Sequence, residues 1–122
     1  MSFHNLMGIR LVERLEDGAV IELEMGPQHL NSDGALHGGV TAALADAALG
    51  MAIQEHRPNG RAATVEMKVN YLRPAHAGTL RARSKFVNNG RRIIVGTVDI
   101  HDSDNRHIAT ALMTYMMVEP DR

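Results

Sequence analysis

The sequence begins with two runs in which apolar and polar residues alternate. These runs, residues 8–15 and 19–25, flank an acidic turn sequence that ends in Gly18. In the second run the apolar side chains share one face, while Glu22 and Glu24 take the other. A period of two is typical of β-strands, and a short break with glycine between two such runs is typical of a hairpin. The pattern therefore predicts two antiparallel strands.

The period changes between residues 37 and 56, where apolar residues recur at helical spacing. One stripe consists of Val40, Ala43, Leu44, Ala47, Ala48 and Met51. The opposite side is apolar as well, and only Thr41 and Asp46 are polar within residues 40–53. A helix that is apolar on every side has to be buried on most of them. This segment therefore predicts one long central helix.

The period of two then returns and continues through the rest of the chain. Four further runs of strand character lie at residues 64–71, 80–86, 92–100 and 108–118. The order of two strands, one buried helix and four strands predicts an α+β fold, in which a curved antiparallel sheet of about six strands wraps the helix. The 122 residues suit a single domain spanning residues 1–122, because no repeat or linker divides them.

Composition and charge exclude several classes of protein. The formal net charge of -1 offers no broad basic field for nucleic acid. The absence of cysteine excludes disulfides, thiolate metal sites and a cysteine nucleophile, and the histidines show no metal-binding spacing. Residues 40–53 are too few to cross a membrane, and residues 1–10 lack the features of a signal peptide. We expect a soluble, cytoplasmic protein with no metal site.

Asp46 is the first candidate for chemistry. A carboxylate on a helix without a solvent face is costly to bury unless it has a partner or a function. Such an environment suits a general base or a nucleophile. The alternative is a carboxylate at a contact between subunits that pairs with an arginine.

The second candidate is His37-Gly38-Gly39, at the start of the predicted helix. The first N–H groups of a helix have no partners within it and lie at the positive end of its dipole, which suits a developing oxyanion. Alternatively, the two glycines only ease a tight turn. Gly38 and Asp46 are eight residues apart, which corresponds to about 12 Å along a helix. If both act on one carbonyl, we expect them to come from two subunits.

The segment from Asn31 to Gly39, followed by Asp46, resembles the signature of hotdog acyl-CoA thioesterases. It is most similar to the phenylacetate-degradation (PaaI-like) group, whose pattern is Asn, two residues, Gly, two residues, His-Gly-Gly, then Asp or Glu. Residues 69–74 and 90–92 resemble later fingerprints of this family. The resemblance covers nearly the whole chain and implies a hotdog fold.

The resemblance implies that the Gly38 N–H polarises the thioester carbonyl. Asp46 from the neighbouring subunit then attacks this carbonyl or activates water, and both routes stay open.

Further roles are implied for residues around these two. Asn31 matches the family's Asn or Gln that helps to position the thioester or water, with His37 as a helper beside it. Thr64 matches a Ser or Thr that can hold the attacking water, although it could equally be an ordinary outward-facing strand residue. Position 50 is a glycine, where some relatives carry a hydroxyl, so water positioning by that route is lost.

The phosphates of CoA need cations, and the sequence offers several. Arg91 and Arg92 follow the predicted Asn-Gly turn, and Arg73 and Lys68 are further candidates. Each could instead be a solvated surface charge.

The resemblance therefore implies an acyl-CoA thioesterase that works without a metal or redox cofactor. It also implies a homodimer whose two sheets join into one, with two such dimers forming a homotetramer. A hydratase acting on enoyl-CoA is a rival within the fold, but the Asp/His motif of those relatives is absent. A non-catalytic acyl-CoA-binding or regulatory hotdog domain is the alternative from another class. Asp46 argues against this alternative, because a binding module has little reason to bury a charge.

Overall fold

The computed structural model describes residues 2–119. Its strands are Ile9–Leu15 (β1), Gly18–Glu24 (β2), Arg61–Tyr71 (β3), Thr79–Asn89 (β4), Ile93–His101 (β5) and His107–Glu119 (β6). A helix of 19 residues, Gly38–His56 (α2), lies between β2 and β3. A helix of five residues, Phe3–Met7 (α1), precedes β1, and a short 3-10 turn at Pro27–His29 follows β2.

The six strands form one sheet in the order β1-β2-β4-β5-β6-β3. Every neighbouring pair is antiparallel. A flat sheet of this size is roughly 24 Å wide, whereas a helix is only about 10 Å across. Because α2 nevertheless contacts all six strands, the sheet curves around it. This confirms the predicted α+β fold with a hotdog arrangement.

Strand alternation places the core between the sheet and α2. In the first half of β4, in β5 and in most of β6, every second side chain is buried, and the intervening ones are more exposed. The buried strand residues include Leu80, Ala82, Ile94, Val98, Ile100, Met113, Tyr115 and Met117. Their partners on α2 include Leu44, Ala48, Leu49 and Ala52.

The sheet covers α2 less completely than the sequence predicts. Ala43, Asp46, Gly50 and Met51 are only partly buried, and Gln54 is exposed. The expectation of a helix without a solvent face is therefore wrong for the single chain. The physical reason is that a sheet curved around one side of a helix leaves the other side to solvent or to another surface.

The helix α1 was not predicted, because five residues are too few to reveal a helical period. The Ser2 side chain caps its start, and Gly8 ends it with a φ angle of 77°. The buried His29 ring accepts the Gly26 N–H at Nδ1, and its Nε2 lies 2.8 Å from the Met7 carbonyl oxygen. This ring fixes the end of α1 to the body of the fold.

Within residues 2–119, no helix combines the length and the apolar character that a membrane crossing requires.

Candidate active site

The loop before α2 is organised by Asn31. Its side-chain oxygen accepts the N–H groups of Asp33 and Ala35 at 2.9 and 3.1 Å. Local bonding of this kind is how asparagine stabilises turns. The structure thus places Asn31 in the loop that leads into the helix, with its oxygen engaged by the backbone.

His37 and Gly38 form the start of α2. His37 is the N-cap, and its Nδ1 accepts the Gly39 N–H at 2.8 Å. The Gly38 carbonyl accepts a hydrogen bond of 3.0 Å from the hydroxyl of Tyr71 on β3. Within residues 2–119, the Gly38 N–H has no acceptor. This N–H is therefore free to bind an incoming oxygen atom.

Asp46 lies midway along α2, on the side that the sheet leaves uncovered. The Thr64 hydroxyl on β3 donates to its Oδ1 at 2.8 Å. The Tyr115 hydroxyl on β6 donates to the same oxygen and lies 2.7 Å from the Asp46 carbonyl oxygen. The side-chain partners of Asp46 within residues 2–119 are thus hydroxyls and not an arginine. Thr64 faces the helix, so it is not an outward-facing strand residue.

Tyr115 is the residue of this site that the sequence did not reveal. Burial raises the pKa of its hydroxyl, and the hydrogen bond to Asp46 raises it further. The strand alternation in β6 indicates that position 115 faces inward, but it does not indicate which helix residue lies opposite.

A groove with a volume of about 430 Å³ opens beside Asp46. Small residues of α2 form its floor, and α1 contributes to its wall. The lining residues are Phe3, His4, Ala43, Asp46, Ala47, Gly50, Met51, Gln54 and Tyr115. The carboxylate is therefore accessible to a ligand.

A second groove, of about 300 Å³, lies at the start of α2. Its lining includes Asn31, Thr41, Tyr71 and Arg73, but not Asp46. Within one chain, the structure brings Thr64 to Asp46, whereas Asn31, His37 and Gly38 lie together at the helix start.

The candidate cations also separate into two groups. Arg91 and Arg92 are exposed on the turn between β4 and β5. Arg57, the C-cap of α2, holds this turn by donating to the carbonyl oxygens of Gly90 at 2.6 Å and Arg91 at 3.3 Å. The turn therefore lies at the end of α2 opposite to Gly38.

The other two cations lie on or beside β3. Arg73 lines the groove at the helix start and donates to the His107 carbonyl oxygen at 2.9 Å. Lys68 is exposed. Of the four cations, only Arg73 is in the same groove as the start of α2.

The structure has a curved six-stranded sheet around a helix. This helix has a free glycine N–H at its start and a carboxylate at its middle. The combination defines the class of hotdog hydrolases. Residues 33–109 match the model of the thioesterase superfamily. The chain belongs to the thioesterase superfamily.

Individual relatives agree with this assignment. The chain is 30% identical to a medium/long-chain acyl-CoA thioesterase, YigI, of Salmonella typhimurium, over 96% of this chain and 86% of that protein. A thioesterase structure from Haemophilus influenzae superposes with a TM-score of 0.91 at 26% identity, covering 97% of this chain and 83% of that chain. A mutant of the phenylacetic acid degradation protein PaaI from Thermus thermophilus superposes with a TM-score of 0.84 at 29% identity, covering 93% and 96%. These similarities confirm the resemblance to PaaI-like hotdog thioesterases.

Proposed function

We propose that this chain is an acyl-CoA thioesterase, which hydrolyses an acyl-CoA thioester to a free acid and CoA. The observation that carries the proposal is the Asp46 carboxylate, held by two hydroxyl donors at an open groove on a helix whose first N–H is free. Membership of the thioesterase superfamily and similarity to a named acyl-CoA thioesterase support the same activity.

The Gly38 N–H donates a hydrogen bond to the developing oxyanion of the thioester carbonyl, at the positive end of the α2 dipole. Asp46 supplies the second group by one of two routes. As a base, it takes a proton from water while the water oxygen attacks the carbonyl carbon. As a nucleophile, it forms an anhydride that water then cleaves. In both routes the C–S bond breaks and the CoA sulfur ends as a thiol. The reaction requires no metal or redox cofactor.

The complete site requires two subunits. Gly38 and Asp46 are separated by about 12 Å along one helix axis, and the groove at Asp46 does not extend to Gly38. A symmetric dimer that sets the start of one α2 against the middle of the other would form two equivalent sites. Asn31 and His37 would enter each site with Gly38, and Thr64 with Asp46.

The exposed edge of β3 is the most suitable surface for this dimer. β3 has 11 residues and is paired only with β6 within residues 2–119. An unpaired strand edge is a template for a strand of another chain. Because Thr64 lies on β3 and contacts Asp46, a partner paired along this edge lies beside the carboxylate. Two such homodimers would form a homotetramer, and we place the protein in the cytoplasm.

The phosphates of CoA would bind where cations from both chains meet. Arg73 lines the groove at the start of α2 in its own chain, together with Tyr71, whose hydroxyl donates to the Gly38 carbonyl. Arg91 and Arg92 lie at the opposite end of α2, so they would reach the same CoA from the partner subunit.

The test is a thiol-release assay on aryl, short-chain, medium-chain and long-chain acyl-CoA esters. We compare the wild type with Asp46→Asn, which preserves the shape and the acceptor oxygen of the side chain. Loss of a general base or nucleophile should lower kcat by about 10²-fold to 10⁴-fold. If both proteins bind CoA esters equally and neither releases thiol, the chain is an acyl-CoA-binding domain instead.

A further inference from the structure

The Tyr115 hydroxyl reaches from the sheet to the middle of α2. Tyr115 is only 6% exposed, and its hydroxyl lies against both the carboxylate and the carbonyl oxygen of Asp46. A hydroxyl has a single proton, so it donates to one acceptor at a time. The charged carboxylate oxygen is the stronger acceptor. The hydroxyl therefore donates mainly to Oδ1, in a partly buried hydrogen bond.

Gly50 provides the space that this hydroxyl occupies. A Cβ atom at position 50 would lie 2.9 Å from the Tyr115 hydroxyl oxygen, which is closer than real Cβ contacts allow. A glycine inside a helix destabilises that helix relative to alanine. Gly50 lies one helical turn beyond Asp46, so the missing side chain leaves room at the carboxylate itself.

The hydrogen bonds make the two oxygens of Asp46 different. Within residues 2–119, the hydroxyls of Thr64 and Tyr115 both donate to Oδ1. Two donors use the lone pairs of that oxygen, whereas Oδ2 keeps its own. The carboxylate is thus anchored through one oxygen beside an open groove.

We propose that Tyr115 is a positioning residue: its hydroxyl, admitted by Gly50, holds Oδ1 of Asp46 so that Oδ2 reacts with the thioester or with the hydrolytic water. This inference rests on the proposed thioesterase function. Because burial raises the pKa of Tyr115, the hydroxyl keeps its proton and remains a donor at neutral pH.

The first test is Tyr115→Phe, which removes the hydroxyl and keeps the buried ring. A lost hydrogen bond to a charged group corresponds to about a tenfold to hundredfold fall in kcat. KM for the acyl-CoA ester should change little, because Tyr115 acts through Asp46.

The second test combines this change with Gly50→Ala. In the wild-type background, the added methyl group displaces the hydroxyl and should lower kcat. In the Tyr115→Phe background the hydroxyl is absent, so Gly50→Ala should lower kcat by a smaller factor than in the wild-type background and should raise the melting temperature. A cycle of these four proteins measures the coupling directly. Equal losses in both backgrounds would overturn the proposed link between Gly50 and the hydroxyl.

A ¹³C NMR comparison at neutral pH separates this inference from the proposed function. The signal of the Asp46 carboxyl carbon should differ between Tyr115→Phe and wild type, because Oδ1 loses a donor, and this comparison needs no substrate. An active wild type with an unchanged kcat and an unchanged carboxyl signal in Tyr115→Phe would overturn the role of Tyr115 alone. A wild type inactive on every ester would overturn the thioesterase proposal, and the carboxyl signal would still decide the role of Tyr115.

Discussion

At the scale of single residues, the candidate site depends on how hydroxyl groups surround one carboxylate. Asp46 is half-buried, and the Thr64 and Tyr115 hydroxyls approach it from two different strands. Hydrogen bonds from neutral donors hold a carboxylate in place while leaving its charge unpaired. An arginine in their place would neutralise the charge that a base or nucleophile needs.

Thr64 allows a clean test of this arrangement. Thr64→Val keeps the branched shape but removes the donor to Oδ1, so kcat should fall about tenfold, as expected for one hydrogen bond to a charged group. Thr64→Ser, which keeps the hydroxyl, is the matched control and should retain most of the activity. The measurement is kcat for the best acyl-CoA ester at saturating concentration. Equal kcat values for the valine and serine variants would show that the hydroxyl does not act.

The sequence identified some of these residues because they belong to a local pattern. Asp46 was evident as a polar residue in an apolar helix, and Gly38 as part of a glycine pair at its start. Thr64 was found through the resemblance alone. Tyr115 was missed because its contact joins residues 69 positions apart, and such a contact depends on how β6 is placed against α2.

At the scale of the elements, α2 and the strands of the sheet were predictable because the spacing of apolar residues differs between a helix and a strand. Apolar residues recur at helical spacing from position 37 to 56, and α2 in the structure is Gly38–His56. The strand runs likewise fall within β1 to β6, with small differences at their ends. α1 was not predictable, and neither was the uncovered side of α2, because hydrophobicity does not reveal which surface covers a helix.

The turn between β4 and β5 leads to a prediction about CoA. Replacing Arg91 and Arg92 with alanine should raise KM for CoA esters, because the phosphates lose cations, while KM for short thioesters without the nucleotide should stay the same. Arg14→Ala with Lys85→Ala is the control, since it removes the same charge elsewhere on the sheet. Kinetics with both substrate types measures the difference. An equal rise in KM for both substrates would remove these arginines from the CoA site.

At the scale of the whole molecule, one chain holds the parts of the site in two places. The free N–H of Gly38 lies at the start of α2, whereas the Asp46 carboxylate lies midway along it, at a groove of its own. The fold makes this separation unavoidable, because both groups are on the same helix, eight residues apart. A dimer related by a two-fold axis converts two incomplete halves into two complete sites.

The central claim is that each site takes Gly38 from one subunit and Asp46 from the other. Gly38→Pro removes the N–H and adds a ring that the first position of a helix accommodates; a Cβ at this position would meet Tyr71 at an ordinary distance of 3.5 Å. His37, with φ -66° and ψ 133°, already has the extended backbone that a following proline requires. The variant should therefore fold, and its loss of activity would report the missing donor.

The most direct measurement is the activity of mixed dimers, purified through two different tags and verified by mass. Asp46→Ala subunits paired with Gly38→Pro subunits should recover about half of the wild-type activity, because one of the two shared sites is intact. Wild-type subunits paired with subunits that carry both changes should be inactive, although they contain the same two substitutions. The reverse result, with activity only in the second pairing, would contradict the shared site.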